Sequence, residues 1–348
     1  MPITEADGAV VSLVRAVYWP RGGLRVAWLR GTMNILTQRF DVIVCPENVH
    51  NLSIWVFAGL HRLFGSRLVL HGHGKRTRLS QGPWIGGIRN LARRVLLARA
   101  DAIITYSDRG RADVMEMGIK PDRVFVAQNT LDIVELRTAQ RDVLPGELEN
   151  LRIKHQLEPG GVVLFVGRLQ RVKRVDLLIE AVRLRQTQGG DCSLLIIGDG
   201  PERGELESAA SGMKGVHFLG ELYDVRTLAP YFLIADVLAI PGRIGLTCVH
   251  GFAYGVPVIT CSELLVSQSP EYDYIADGIN AVVLEELSAE AVARALADLL
   301  PDHKRLMQLR NGASSTADRL HMDVMVQGFV KAVAHAWNSS DRMPGPHT

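Results

Sequence analysis

With 348 residues the chain is long for a single core, so two domains of ordinary size are expected. A composition of 47% hydrophobic and 22% charged residues is that of a globular protein. No apolar run reaches the ~20 residues of a membrane-spanning helix, and the first fifteen residues, with Glu5 and Asp7, lack the layout of a signal peptide. Cys45, Cys192, Cys248 and Cys261 are scattered without a CxxC, which excludes a structural zinc site and reads as reduced thiols of a cytoplasmic protein. The net charge of +2 conceals a bias, because residues 51–100 hold nine Lys and Arg and no Asp or Glu. Such a basic half suits nucleic acid, anionic lipid or a phosphorylated substrate. The lack of a helix-turn-helix, an RNP-like strand, a zinc finger or interleaved aromatic residues excludes nucleic acid.

In chain order, 40–45 reads as a short buried strand and 51–64 as a helix. Residues 67–70 are a strand ending in His71-Gly72-His73-Gly74, 84–99 a helix, and 101–105 and 123–126 strands. Continuous apolar strands alternating with helices predict a parallel, doubly wound sheet. From about 132 to 161 the pattern weakens, punctuated by Pro145-Gly146 and Pro159-Gly160-Gly161, and reads as an interdomain connection. A second series has strands at 162–166, 193–197, 216–219, 236–240, 256–260 and 281–284. Its helices lie near 174–188, 201–210, 224–234, 247–255 and 288–300, and an amphipathic helix covers 324–337. The expected division is a first domain at 1–150, a second at 151–318, a helix at 319–338 that packs back on the first domain, and a flexible tail at 339–348. The fold class is α/β, with two Rossmann-like domains facing across a cleft at the carboxyl ends of their strands, where open sheets bind ligands.

The stretch 162–169 (VVLFVGRL) carries the most chemistry. An apolar run stops at Gly167-Arg168, a second cation follows at Lys173, and a helical pattern begins near Asp176. A tight turn with two cations before a helix suits a diphosphate, because backbone N–H groups and positive side chains both attract the anion. Further along come Gly198-Asp199-Gly200-Pro201 with Arg203, then Phe218-Leu219-Gly220 and Ala235-Asp236-Val237. Last come Pro241, Gly245-Leu246-Thr247 and the run from His250-Gly251-Phe252-Ala253-Tyr254-Gly255 to Val256-Pro257-Val258-Ile259.

These motifs, in this order over about 160–300, resemble the nucleotide-sugar-binding domain of the group 1 glycosyltransferases (family 4, GT-B fold, retaining). The resemblance implies a nucleoside-diphosphate-sugar donor as substrate, no cofactor and no metal. It places Arg168 and Lys173 as the cation pair on the donor diphosphate, stabilising the leaving group. It also puts Gly167, Gly198, Gly200 and Pro201 at the nucleotide, and Gly245, Leu246 and Thr247 where backbone amides approach the diphosphate and sugar. The family carries two glutamates eight positions apart, on the donor sugar and on the ribose. Gly242 stands at the first place here and His250 at the second, which resembles a bacterial subgroup with PGxxGLT…H. His250 is then a weaker, pH-sensitive ribose partner. Thr260 and Glu271 are supplementary donor-site candidates, Glu271 equally a helix-start carboxylate. By the family's length, a strand–helix–strand portion of the first domain is expected to be missing, through a late start at Met1 or a truncated gene. One sheet edge would then be uncovered and part of the acceptor site lost.

In the first half, His73, with His71 as alternative, matches a family histidine near the reacting sugar; both also fit a structural reading. Lys75 and Arg76 suit an anionic acceptor or a solvated basic loop. On helix 84–99, Arg89, Arg93 and Arg94 run beside Trp84, Ile85, Ile88, Leu91 and Val95. That pattern fits either an anionic membrane surface bearing a lipid-linked acceptor or a charged outer face. The resulting expectation is a cytoplasmic retaining transferase at the inner membrane face, moving a sugar onto a saccharide or lipid-linked acceptor in envelope polysaccharide or glycolipid synthesis. The rivals are a nucleotide-sugar epimerase of the same fold and a catalytically inactive nucleotide-sugar-binding subunit.

Overall fold

Parallel strands alternate with helices in both halves of the computed structural model, which describes residues 16–21, 24–38, 40–72 and 83–339. Among these, residues up to 72, 83–127 and 327–339 form one unit, and 128–326 form another.

The first unit opens with β1 (Ala16–Arg21) and β2 (Leu24–Leu29), an antiparallel pair with Ala16 opposite Leu29. After α1 (Thr32–Thr37) come β3 (Val42–Pro46), α2 (Leu52–Leu60), β4 (Arg67–Gly72), α3 (Pro83–Arg99), β5 (Ala102–Thr105), α4 (Asp108–Glu116) and β6 (Val124–Val126). β3 to β6 form a four-stranded parallel sheet in sequence order. Leu68, Val69, Leu70, Ile103 and Ile104 are buried from both faces, which is why these strands read as unbroken apolar runs. Ile54, Phe57 and Ala58 of α2 and Leu96 and Leu97 of α3 share a core with Leu68, Leu70 and Ile103.

Asp101, just before β5, is the polar hub of this unit. It accepts from the Leu68 N–H (2.9 Å), Arg62 Nη2 (2.9 Å) and His61 Nε2 (3.1 Å). Burial raises its pKa, but the bonds from His61, Leu68 and Arg62 outweigh this and hold it at about 2. A folded pKa below the unfolded one means the stabilisation is present above about pH 4 and is lost as pH falls towards 2. Asp101→Ala should therefore lower stability by ~3 kcal/mol at pH 7, and by about half as much at pH 3. Denaturant unfolding at both pH values checks this.

The second unit starts earlier than the sequence reading allows. Instead of a connection, residues 133–154 form α5 (Ile133–Asp142) and α6 (Pro145–Lys154). Ile133, Leu136 and Ala139 join the core of the second sheet. Their i, i+3, i+6 spacing is a helical face, and Pro145-Gly146 marks the first turn of the next helix, not a linker.

The series continues with β7 (Val162–Val166), α7 (Val175–Thr187), β8 (Ser193–Ile197), α8 (Arg203–Ala209), β9 (Val216–Gly220), α9 (Val225–Ile234), β10 (Val237–Ala239), α10 (Thr247–Ala253), β11 (Val258–Cys261) and β12 (Ala281–Leu284). It ends with α11 (Ala289–Leu299), α12 (His303–Ala317) and α13 (Met322–Asn338). The six strands are parallel in the order β12-β11-β10-β7-β8-β9. From Gln327 onward α13 belongs to the first unit, where Gly328 lies so close to β6 that a Cβ would sit 2.3 Å from the Val126 carbonyl. Both units are Rossmann-like α/β domains with parallel sheets.

Candidate functional site

In the second sheet β7 and β10 lie side by side although about seventy residues separate them, with Val237 opposite Val163. Strand order reverses there, so the loops after β7 and β10 leave in opposite directions. In open α/β sheets that switch point is where ligands bind. Arg168 and Lys173 lie on the first loop, Gly245 and Leu246 on the second, and Thr247 opens α10.

The two loops are bonded to each other. The Arg243 N–H donates to the Val172 carbonyl (2.7 Å) and the Gly242 N–H to the Lys173 carbonyl (3.1 Å). A Cβ on Gly242 would lie 2.2 Å from the Val172 oxygen, so only glycine lets the loops meet. Lys173 Nζ donates to the Arg243 carbonyl (2.7 Å) and passes beside Gly245. Burial lowers the Lys173 pKa, the charge of Arg243 lowers it further, and Glu271 acts in the opposite direction. Arg168 is exposed and has no ion-pair partner among the described residues.

The next turn packs on the first. The Gly167 N–H donates to the Ile197 carbonyl and the Leu169 N–H to the Asp199 carbonyl, both at 2.9 Å. Gly198 has φ 136°, and a Cβ there would sit 2.0 Å from the Gly167 oxygen; one on Gly200 would sit 2.3 Å from the Leu169 oxygen. These glycines thus serve the packing of turn on turn. Asp199 accepts from the Gly200 N–H (2.6 Å) and pairs with Arg203 (2.9 Å), while Pro201 is exposed.

The loop after β10 is buttressed from the 268–271 segment, which the sequence reading left out except for Glu271. Gln268 Oε1 accepts from the Ile244 N–H (2.9 Å), and its Nε2 donates to the Cys261 carbonyl (3.1 Å). Ser269 Oγ donates to the Ile244 carbonyl (2.9 Å) and also bonds Glu271 Oε2. Glu271 is 5% exposed in the turn Pro270–Tyr274, with its other oxygen held by Asn129 Nδ2. Buried Thr260 donates weakly to the Gly242 carbonyl (3.4 Å).

His250 differs from expectation. It is half-buried on α10 beside Phe232, with ring centroids 5.7 Å apart, and burial drives its pKa down to about 4. The imidazole is therefore neutral across the physiological range and is not a pH-sensitive partner there. Between about pH 6.5 and 4 the unfolded chain binds a proton that the folded chain refuses, so stability from this group falls as pH drops through that window. In an NMR titration His250 should stay neutral down to about pH 5; a midpoint near 6.5 would contradict this burial.

In the first unit, His71 closes β4 and bonds the Tyr106 hydroxyl through Nδ1 (3.1 Å), with Phe329 6.1 Å away. Burial lowers its pKa. Arg93 does not join an outward basic stripe: it pairs through Nε and Nη2 with Glu47, at the end of β3, and its side chain is 11% exposed. Gly72 leaves the room, since a Cβ there would press on Glu47. Arg89 is half-buried, while Ile88 and Leu91 are 71% and 63% exposed. His73, Lys75 and Arg76 lie outside the described residues.

Comparison with known proteins bears on these loops directly. Residues 160–302 match the family model described as glycosyl transferases group 1, and residues 2–130 match the glycosyl transferase 4-like domain. A D-inositol 3-phosphate glycosyltransferase of Salinispora tropica is 26% identical over 256 residues, covering 69% of this chain and 52% of its own length. An alpha-D-kanosaminyltransferase of Streptomyces kanamyceticus is 24% identical over 254 residues, 70% of this chain and 64% of that enzyme. The chain thus spans about half to two thirds of these relatives. The crystal structure of Anabaena Alr3699/HepE in complex with UDP aligns at TM-score 0.68 and 17% identity over 87% of this chain and 81% of that one, a likeness of fold. With glycosyltransferase models on both of its α/β units, the chain belongs to the group 1 glycosyltransferases.

Proposed function

We propose that this protein transfers a sugar from a nucleoside-diphosphate-sugar to an acceptor hydroxyl with retention of anomeric configuration. The observation that carries the reading is the pair of hydrogen-bonded loops at the β7–β10 switch point, which fixes Lys173 and leaves Arg168 without a counter-ion among the described residues. As the bond from the anomeric carbon to the diphosphate breaks, negative charge builds on the leaving oxygen. Arg168 and Lys173 stabilise that charge, so the transfer runs without a metal. The acceptor oxygen bonds to the anomeric carbon, and its proton passes to the departing diphosphate.

The acceptor side is assigned to the first unit at His71, with His73, Lys75 and Arg76 following it in the sequence. Exposed Ile88, Leu91 and Val95 on α3, with Arg94 beside them, support docking of this enzyme on the anionic cytoplasmic face of a membrane, where a lipid-linked acceptor for envelope glycan synthesis resides. Among the described residues no helix is long and apolar enough to cross a membrane.

A thermal-shift screen of UDP-, GDP- and ADP-sugars tests the reading. One nucleotide class should stabilise the protein, and that donor should be consumed with a single new glycoside product. Donor binding without turnover against a broad acceptor panel would favour an inactive binding subunit, and interconversion of the sugar nucleotide without acceptor would favour an epimerase.

A further inference from the structure

Arg243 is the switch-point residue with no role so far. Its N–H is bonded to Val172 and its carbonyl receives Lys173 Nζ, so its backbone is fixed against the β7 loop. Gly242, next to it, donates its N–H to the Lys173 carbonyl and lies too close to Val172 to carry a Cβ. Two like charges are thereby held on facing loops, close enough for Arg243 to disfavour the charge on Lys173. The carboxylate that favours the charge on Lys173, Glu271, already has one oxygen bonded by Asn129 and the other by Ser269.

Neighbouring arginines are treated differently. Arg174 pairs with Asp176, and Arg203 with Asp199 and Glu207. Arg168, Arg171 and Arg243 have no such partner among the described residues. Of these three, only Arg243 is locked beside Lys173 by its own backbone. Two cations on bonded loops, neither in an ion pair among the described residues, make a site that a multiply charged anion relieves.

We propose that Arg243 is a third cation for the donor diphosphate, reaching it from the β10 loop while Arg168 and Lys173 reach it from the β7 loop. This rests on the donor-site reading above. The test is calorimetric titration of a nucleoside, its monophosphate and its diphosphate, in the uridine, guanosine and adenosine series. The proteins are wild type, Arg243→Gln, Arg243→Lys and Arg168→Ala. Arg243→Gln should weaken diphosphate binding by about tenfold or more, monophosphate binding by less, and leave the nucleoside unchanged, with Arg243→Lys recovering part of the loss. Diphosphate binding unchanged in Arg243→Gln but lost in Arg168→Ala would overturn the role of Arg243 alone. An equal loss for nucleoside and diphosphate would mark Arg243 as a packing residue and also overturn it. Wild-type protein that binds none of the three diphosphates would overturn the donor-site reading itself.

Discussion

Lys173→Met is expected to lower turnover by about 10²–10³-fold, the range seen when one preorganised donor to developing charge is removed. Methionine keeps the aliphatic packing of the half-buried stem and removes only the charged tip. The lost bond to the Arg243 carbonyl should cost about 1 kcal/mol of stability. Arginine is a poor rescue, because Nζ already sits at 2.7 Å from that carbonyl and close beside Gly245. Arg168→Ala should lower turnover comparably while changing stability by less than about 0.5 kcal/mol, since the side chain is exposed. Steady-state kinetics beside denaturant unfolding separates the two effects. Loss of activity in proportion to loss of fold would refute the electrostatic role. The lowered Lys173 pKa adds a signature: its charge, and activity with it, should fade at a lower alkaline pH than for an ordinary lysine.

The second large effect lies in a residue that touches no charge. Gly198→Ala places a Cβ at φ 136°, 2.0 Å from the Gly167 carbonyl oxygen and 2.9 Å from its carbon. Strain at such a φ alone costs of order 1–3 kcal/mol, and the clash can be relieved only by moving one turn away from the other. The turn it pushes is the one that carries Arg168. Unfolding free energy should therefore fall by about 2 kcal/mol or more, and the protein that remains folded should bind donor more weakly. Gly204→Ala is the control, because a Cβ there meets nothing within 4 Å. A Gly198→Ala protein as stable as the Gly204→Ala one would contradict the packing of turn on turn.

Much of the fold was legible because its strands are buried on both faces. The runs at 162–166 and 281–284 are apolar from end to end, 193–197 is apolar after Ser193, and all three match β7, β12 and β8 residue for residue. The 256–260 strand begins two residues later than expected, at Val258, just after Pro257, which has no N–H to give to a ladder. α5 and α6 were hidden because Pro145-Gly146 punctuates them, although proline suits a first helical turn. α4 and α12 escaped notice too, being rich in polar residues with narrow buried faces at Val114 and at Leu306 and Leu309.

The site divides in the same way. Arg168 and Lys173 stand out since each follows a strong strand signal within a few residues. Gln268, Ser269 and Asn129 carry no local pattern, and their meaning comes from partners up to 142 residues away. The same holds for Glu47, which takes Arg93 out of the stripe that helical periodicity gives it. The neutrality of His250 depends on what buries it, including Phe232 from a different helix, and spacing cannot supply that.

The most direct measurement is a crystal structure of the protein soaked with the nucleoside diphosphate that gives the largest thermal shift. The expected result is phosphate oxygens within about 3 Å of Lys173 Nζ and of the Arg168 guanidinium, above the carboxyl ends of β7 and β10. A nucleotide bound away from those strand ends, or one seated there with both cations turned from its phosphates, would contradict the assignment.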